Sequence, residues 1–272
     1  MNLLSVFQKD KKRPMETTAE IGCPICGGVQ QDIVECGTTR FVTGPSRKHA
    51  ESQNCRKYKC KDCAHLWTPW LDRNLKEVSE IYDGIYGEVA NESVNVNFRS
   101  AHQLELITLG LLATDQKYPC LDFGCGPNSL VTLMLRKLGK PVHCCDISNF
   151  YPYDNEGFFR HSFDPRWHGY FGSVVSIEVI EHLGDPLESW LYFNRILKPS
   201  GAMYHVFPSL IHCEIQHHYI TNAFHTCLFS EQSLRRLCER TGFEFRGFVT
   251  SQIPSADLTL QNIFYFQKVR TV

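Results

Sequence analysis

Two Cys-x-x-Cys pairs, Cys23 with Cys26 in CPICGG and Cys60 with Cys63 in CKDC, place four thiols in the first quarter of this 272-residue chain. Four thiolates make the tetrahedral sulfur shell of a structural zinc ion, and the paired spacing puts two ligands on one tight turn. Each pair predicts a knuckle turn, with Gly27 and Gly28 relieving the backbone after the first. The 33 residues between the pairs exceed the common ribbon spacing and require a hairpin or a long loop. Cys36, Cys55 and His65 lie nearby but belong to no paired motif and are not assigned as ligands. So small a segment has few other means of cohesion, and metal binding would supply much of its folding free energy.

A second set of residues lies in CLDFGCGPNSL, residues 120–130. It reads as a buried strand, a glycine turn and a helix start. Gly124 and Gly126 permit positive φ and let a ligand approach the backbone, while Ser129 can cap the apolar-periodic run LVTLMLRKL. A dinucleotide dehydrogenase would use a similar loop, yet the third glycine or alanine of its fingerprint is absent here. The third set is imidazole. Of 12 histidines, His182 in EVIEH, His225 in NAFHTCLFS and the pair His217 and His218 fall where a base could act at neutral pH.

These groups need a scaffold, and from Pro119 onward the sequence alternates strand and helix as a parallel α/β sheet does. PCLDF, PVHCCDIS, GFFRHSFD and GSVVSIEVIEH read as successive strands, the last apolar on both faces. Pro186 suits the first turn of the helix PLESWLYFNRIL, and LKPSGAMYHVFPS supplies a turn and a fifth strand. SEQSLRRLCERTG is a helix capped by Ser230 and ended by Gly242, followed by two strands, FEFRGFV and LQNIFYFQKV. Only ten residues, ISNFYPYDNE, separate Asp146 from Gly157, which predicts a shortened crossover. The resulting division is a flexible arm over 1–20, a zinc-binding module over 21–76, a helical linker over 77–118 carrying Tyr82 and Tyr86, and the main domain over 119–272.

Composition sets the outer limits. A hydrophobic content of 43% with 18 Phe can fill a full core. There is no apolar run of about 18 residues, which argues against a membrane span. The 13 cysteines are odd in number and follow no export signal, so reduced thiols in the cytoplasm are expected. Residues 1–76 hold 13 Lys/Arg against 8 Asp/Glu, a net of +5, whereas the remainder is acidic. A basic module of that size fits either a solvated surface or a phosphate contact.

The segments LDFGCGP, CCDIS, VVSIEVIEHLGDP and LKPSG stand in the order and spacing of class I S-adenosylmethionine-dependent methyltransferases, a resemblance that covers roughly residues 95–250. It implies an α/β, doubly wound, Rossmann-like and mostly parallel sheet whose ligands bind beyond the carboxyl ends of the strands. It also implies S-adenosylmethionine as cofactor. The family pattern places Asp122, Gly124 and Gly126 against its methionine portion, Asp146 on the ribose, Asp164 on the adenine amino group, and Ile177 and Glu178 near the sulfonium. His182 would face the cleft, His225 would precede the last helix as a second catalytic candidate, and residues 208–229 would form a substrate lid. The double Cys-x-x-Cys resembles a zinc-binding segment of some bacterial methyltransferases of sugar and natural-product pathways, hence a small zinc-ribbon-like module. Asn128, Gly172 and Ser200 depart from the usual pattern at positions where glycine, aspartate and glycine are common. The expected function is methyl transfer to a small hydroxyl-bearing metabolite, such as a sugar or nucleotide-sugar. RNA gripped by the basic module is one alternative, and a non-catalytic adaptor on a methyltransferase scaffold is another.

Overall fold

The computed structural model describes residues 22–36, 55–68, 117–126, 130–147, 165–211, 213, 220, 225–250 and 262–272. The expected N-terminal arm, Tyr82 and Tyr86, the linker helix, the GFFRHSFD strand, Asn128, Asp164, His217, His218 and half of the expected lid lie outside these residues. In chain order the strands are β1 (Gln31–Cys36), β2 (Cys55–Cys60), β3 (Leu66–Trp67), β4 (Cys120–Phe123), β5 (Val142–Cys145), β6 (Phe171–Ile177), β7 (Leu197–Phe207), β8 (Cys227–Leu228), β9 (Phe243–Thr250) and β10 (Asn262–Lys268). Among the described residues the α-helices are α1 (Leu130–Lys137), α2 (Pro186–Ile196) and α3 (Glu231–Thr241).

Among the described residues, six strands form one sheet in the order β5-β4-β6-β7-β10-β9. Strands β5, β4, β6 and β7 run parallel, and β10 lies antiparallel between β7 and β9. This is the mixed, mostly parallel sheet that the alternating pattern predicts. Its central strand β6 is buried on both faces from Phe171 to Ser176, as a sheet covered by helices on each side requires. Parallel pairing aims the carboxyl ends of β4, β5, β6 and β7 to one edge, and that edge is where the loops of interest emerge.

Local chemistry accounts for the helix bounds. Asp185 caps α2 by accepting from the Glu188 amide at 2.9 Å, with Pro186 in the first turn. Ser230 caps α3 within a capping box formed with Ser233, and Gly242 ends it in the left-handed region at φ 76°. LKPSG is a bulge within β7 instead of a separate turn: the partner of β6 jumps from Leu197 to Ala202 between Phe171 and Ser173. Ser200 takes φ 59° there, the conformation a glycine would adopt most easily, which is how this departure is accommodated.

The remaining strands form a second, antiparallel sheet in the order β1-β2-β3-β8. Its fourth strand comes from the far end of the chain, since Leu66 pairs with Leu228 and Trp67 with Cys227. The thiol-bearing segment and the α/β sheet consequently share one core: Cys23, Ile25, Cys60, Cys63 and Trp67 are continuous with Trp190, Phe193, Phe207, Phe229 and Phe266. No helix among the described residues is long and apolar enough to cross a membrane.

His205 of β7 is fully buried in this core, its Nδ1 at 2.8 Å from the Ser176 hydroxyl and its ring against Trp190, Phe193 and Phe266. Burial pushes its pKa down from 6.5 to about 3. The folded chain therefore binds fewer protons than the unfolded chain between those values, so this stabilising contribution is complete above pH 6.5 and lost as pH falls toward 3. In urea titrations across that window, His205→Gln is expected to flatten the pH dependence; a slope equal to the parent's would show that other groups carry it.

Candidate active site

The glycine loop is held in place from two sides. The amides of Gly124 and Cys125 donate to the Cys145 carbonyl at 2.8 and 3.1 Å, and the Gly126 amide donates to Asp146 Oδ2 at 2.9 Å. Asp146, at the end of β5, thus clasps the loop that follows β4. Gly124 and Gly126 adopt φ 72° and 63°, and a Cβ on Gly124 would stand 2.4 Å from Val179 Cγ2. The glycine is required by both its conformation and the close approach of the loop after β6. Asp122 is buried, and its Oδ2 accepts from the Thr132 amide at 3.2 Å and the Thr132 hydroxyl at 2.8 Å, tying β4 to α1. Burial raises its carboxyl to about 7, partly offset by those bonds.

At the end of β6, Ile177 pairs with Val206, and the Glu178 amide donates to the Val206 carbonyl at 2.8 Å. Glu178 stands at φ 55°, an uncommon conformation for a side-chain-bearing residue and one that concentrates at functional loops. A short 3₁₀ turn, Ile180–His182, follows. Glu181 within it is fully buried, and its carboxyl has no well-formed hydrogen bond, only its own amide and the Glu178 carboxyl lying near it. Desolvation, with the nearby Glu178 charge adding to it, raises the Glu181 carboxyl well above the ordinary range.

The two histidines chosen from the sequence meet here. His182 and His225 rings lie 4.8 Å apart at 79°, and His182 Nε2 is 3.7 Å from Glu181 Oε1. The approach is built by neighbours of His225. Thr226 Oγ1 donates to the carbonyls of Glu181 at 3.3 Å and Leu183 at 3.0 Å, and Cys227 Sγ donates to Leu183 at 3.0 Å. From the opposite side the buried Lys57 ammonium donates to the His225 carbonyl at 2.6 Å and to Thr68 Oγ1 at 3.2 Å. Sequence reasoning left Glu181 outside the candidate set although it sits within EVIEH, three residues after Glu178. It also counted Lys57 only as module charge; no local pattern shows that it turns inward.

The four cysteines also converge. Cys23 and Cys63 Sγ are 3.7 Å apart and Cys26 and Cys60 Sγ 3.5 Å, all four lying within 4.8 Å of one another. Zinc–sulfur bonds of about 2.3 Å in a tetrahedron imply sulfur separations of about 3.8 Å, so the cluster fits zinc with small adjustment. The knuckles are equivalent: Gly27 donates to Cys23 at 2.8 Å with φ 76°, and Ala64 donates to Cys60 at 2.9 Å with φ 54°. A Cβ at Gly28 would meet the Asp62 carboxylate of the other knuckle, which would have to turn aside. His65 packs against Trp67 and Phe229 and belongs to no ligand group, while Cys36 and Cys55 stand opposite one another in the β1–β2 register.

A family model described as "Methyltransferase domain" matches residues 96–246, more than half of the chain. The chain belongs to the class I methyltransferase family. Solved structures agree on the fold. The geranyl diphosphate C-methyltransferase of Streptomyces coelicolor A3(2), crystallised with Mg2+, geranyl diphosphate and S-adenosyl-L-homocysteine, is 12% identical over 74% of this chain and 100% of that one, with TM-score 0.50. The [4+2]-cyclase SpnF is 14% identical over 71% of this chain and 95% of its own, with TM-score 0.54. A chain of the complex between the Haloferax volcanii Trm112 methyltransferase activator and a methyltransferase is 13% identical over 70% and 98%, with TM-score 0.52. No curated protein matches by sequence. In this S-adenosylmethionine-dependent methyltransferase, donor binding is the readout for a change in the glycine loop. Gly124→Ala would force a Cβ into Val179 at positive φ; overpacking strain of about 1–3 kcal/mol predicts a loss of S-adenosylmethionine affinity of about 5- to 150-fold by calorimetry.

Proposed function

We propose that this methyltransferase moves the methyl group of S-adenosylmethionine to a hydroxyl of a small metabolite, with a sugar or nucleotide-sugar as the acceptor class. The observation that carries this reading is the meeting of His182, His225 and Glu181 beyond the end of β6. A hydroxyl must lose its proton as it attacks, whereas an amine needs no such help, and a histidine cluster is suited to that demand. The sugar class rests on the likeness of the double Cys-x-x-Cys segment to that of sugar-pathway methyltransferases.

Residues around the strand ends fit the donor. Gly124 and Gly126 leave backbone open on the loop, Asp146 fixes that loop, and Ile177 and Glu178 would border the sulfonium. Asp164 would reach the adenine. The donor supplies a methyl carbon activated by positive sulfur, so the protein's task is to align the acceptor and receive its proton. The acceptor oxygen forms the new O–C bond, the S–C electron pair stays on sulfur, and the proton leaves through the histidine cluster. Cys23, Cys26, Cys60 and Cys63 would hold a structural zinc ion that fixes the knuckles against α3. RNA gripped by the basic module has weaker support, since Lys57 is committed to the His225 carbonyl and is not at the surface.

Calorimetry with S-adenosylmethionine and assay against sugar and nucleotide-sugar acceptors tests the reading. His225→Gln is expected to lower kcat by about a hundredfold while leaving donor affinity unchanged; an undiminished kcat would refute the role. Cys60→Ser is expected to reduce bound zinc from one ion per chain, measured by elemental analysis, and to lower the thermal midpoint, whereas full zinc content would exclude Cys60 as a ligand.

A further inference from the structure

We propose that Glu181, His182 and His225 bind one divalent transition-metal ion, separate from the zinc of the cysteine cluster, and that acceptor oxygens complete its coordination. Each of the three side chains offers a ligand atom, and these atoms lie within 4.8 Å of one another. Metal–ligand bonds of about 2.0–2.2 Å place ligand atoms roughly 3 Å apart when adjacent and about 4.2 Å apart when opposite. The 3.7 Å separation between Glu181 Oε1 and His182 Nε2 falls inside that range, and no pair of the three ligand atoms is more than 4.8 Å apart.

Glu181 supplies the independent observation. Its side chain has no exposed surface, neither oxygen makes a well-formed hydrogen bond, its neighbours are its own amide and the like-charged Glu178 carboxyl, and it lies 3.7 Å from His182 Nε2. A carboxyl buried without well-formed hydrogen bonds is costly, and a directly ligated cation removes that cost. The surrounding structure holds the ligands as a metal site requires: Thr226 ties the His225 segment to the Glu181 and Leu183 carbonyls, and Lys57 fixes the His225 carbonyl from behind. Two imidazoles and one carboxylate favour manganese, iron, cobalt or zinc over magnesium or calcium, which prefer all-oxygen shells.

The position follows Glu178 on the same loop, where the methyl group of the donor would stand. This part rests on the hydroxyl-acceptor reading above. With both imidazoles held as ligands, solvent water would replace the histidine base: a hydroxyl bound to the ion would lose its proton to water at lower pH than a free one, its oxygen would attack the methyl carbon, and the S–C pair would remain on sulfur. The ion therefore changes no oxidation state.

The test uses the full chain with its cysteine cluster loaded with zinc, titrated with manganese(II) by calorimetry and electron paramagnetic resonance. One manganese ion is expected to bind per chain. Because loss of an outer-shell partner alone costs 10–100-fold, Glu181→Gln and the partly exposed His182→Asn are each expected to weaken binding by at least about tenfold. Zinc content should stay constant in both, and circular dichroism identifies any variant that fails to fold, in which case the other variant decides. Absence of manganese, cobalt or additional zinc binding to the parent chain, or equal affinity in a folded variant, would overturn the proposal. Intact S-adenosylmethionine binding with no metal binding would leave the methyl-transfer reading standing and return the cluster to plain acid–base chemistry.

Discussion

The two-residue ladder between β3 and β8 is the constraint on which the rest of the structure depends. It joins Leu66 to Leu228 and Trp67 to Cys227, and it places His225 two residues before the strand begins. So short a ladder is weak by itself. Its strength comes from what surrounds it: Ser230 Oγ donates to the Cys63 carbonyl at 2.8 Å, Gln232 Nε2 donates to Asp62 at 2.8 Å, and Arg240 bonds the Ile25 carbonyl. The helix α3 thus grips both knuckles. Its N-terminal cap serves the helix and the thiol segment with one hydroxyl, accepting from Ser233 while donating to Cys63.

Lys57 makes the coupling between the two sheets directional. An ammonium group buried without partners would be strongly unfavourable, and here its bonds go to Thr68 in the thiol segment and to the His225 carbonyl 168 residues away. Folding of the knuckles therefore satisfies Lys57 and fixes the backbone of His225 in one event. A segment that looks detachable in the sequence is part of the wall of the site. The shared core reinforces this, since Trp67 and Ile25 are buried in the same cluster as Trp190 and Phe229.

At the strand ends the same economy is achieved by close backbone contact. Gly124 has room for no side chain because Val179 fills the space, and Asp146 spends one oxygen on the Gly126 amide. Glu178 holds positive φ beside them. Uncommon backbone conformations persist when surrounding bonds over-determine them, and here the Val206 carbonyl supplies the restraint. The result is a rigid edge on which Glu181, His182 and His225 are set a few ångströms apart.

Much of this was legible in the residues themselves. The alternating pattern from Pro119 set out the parallel strands, Ser230 and Gly242 marked the bounds of α3, and the Cys-x-x-Cys spacing foretold two knuckles, because each depends on interactions within a few residues. EVIEH and NAFHTCLFS showed which histidines to weigh, but not that they would meet. Only the tertiary structure decided that β8 completes the thiol sheet, that Lys57 turns inward and that Glu181 is buried without a well-formed hydrogen bond. The first two follow from pairings between segments more than 150 residues apart, such as Lys57 with His225 at a separation of 168, and the third from the approach of Thr226 to Glu181 at a separation of 45; no local propensity encodes such choices.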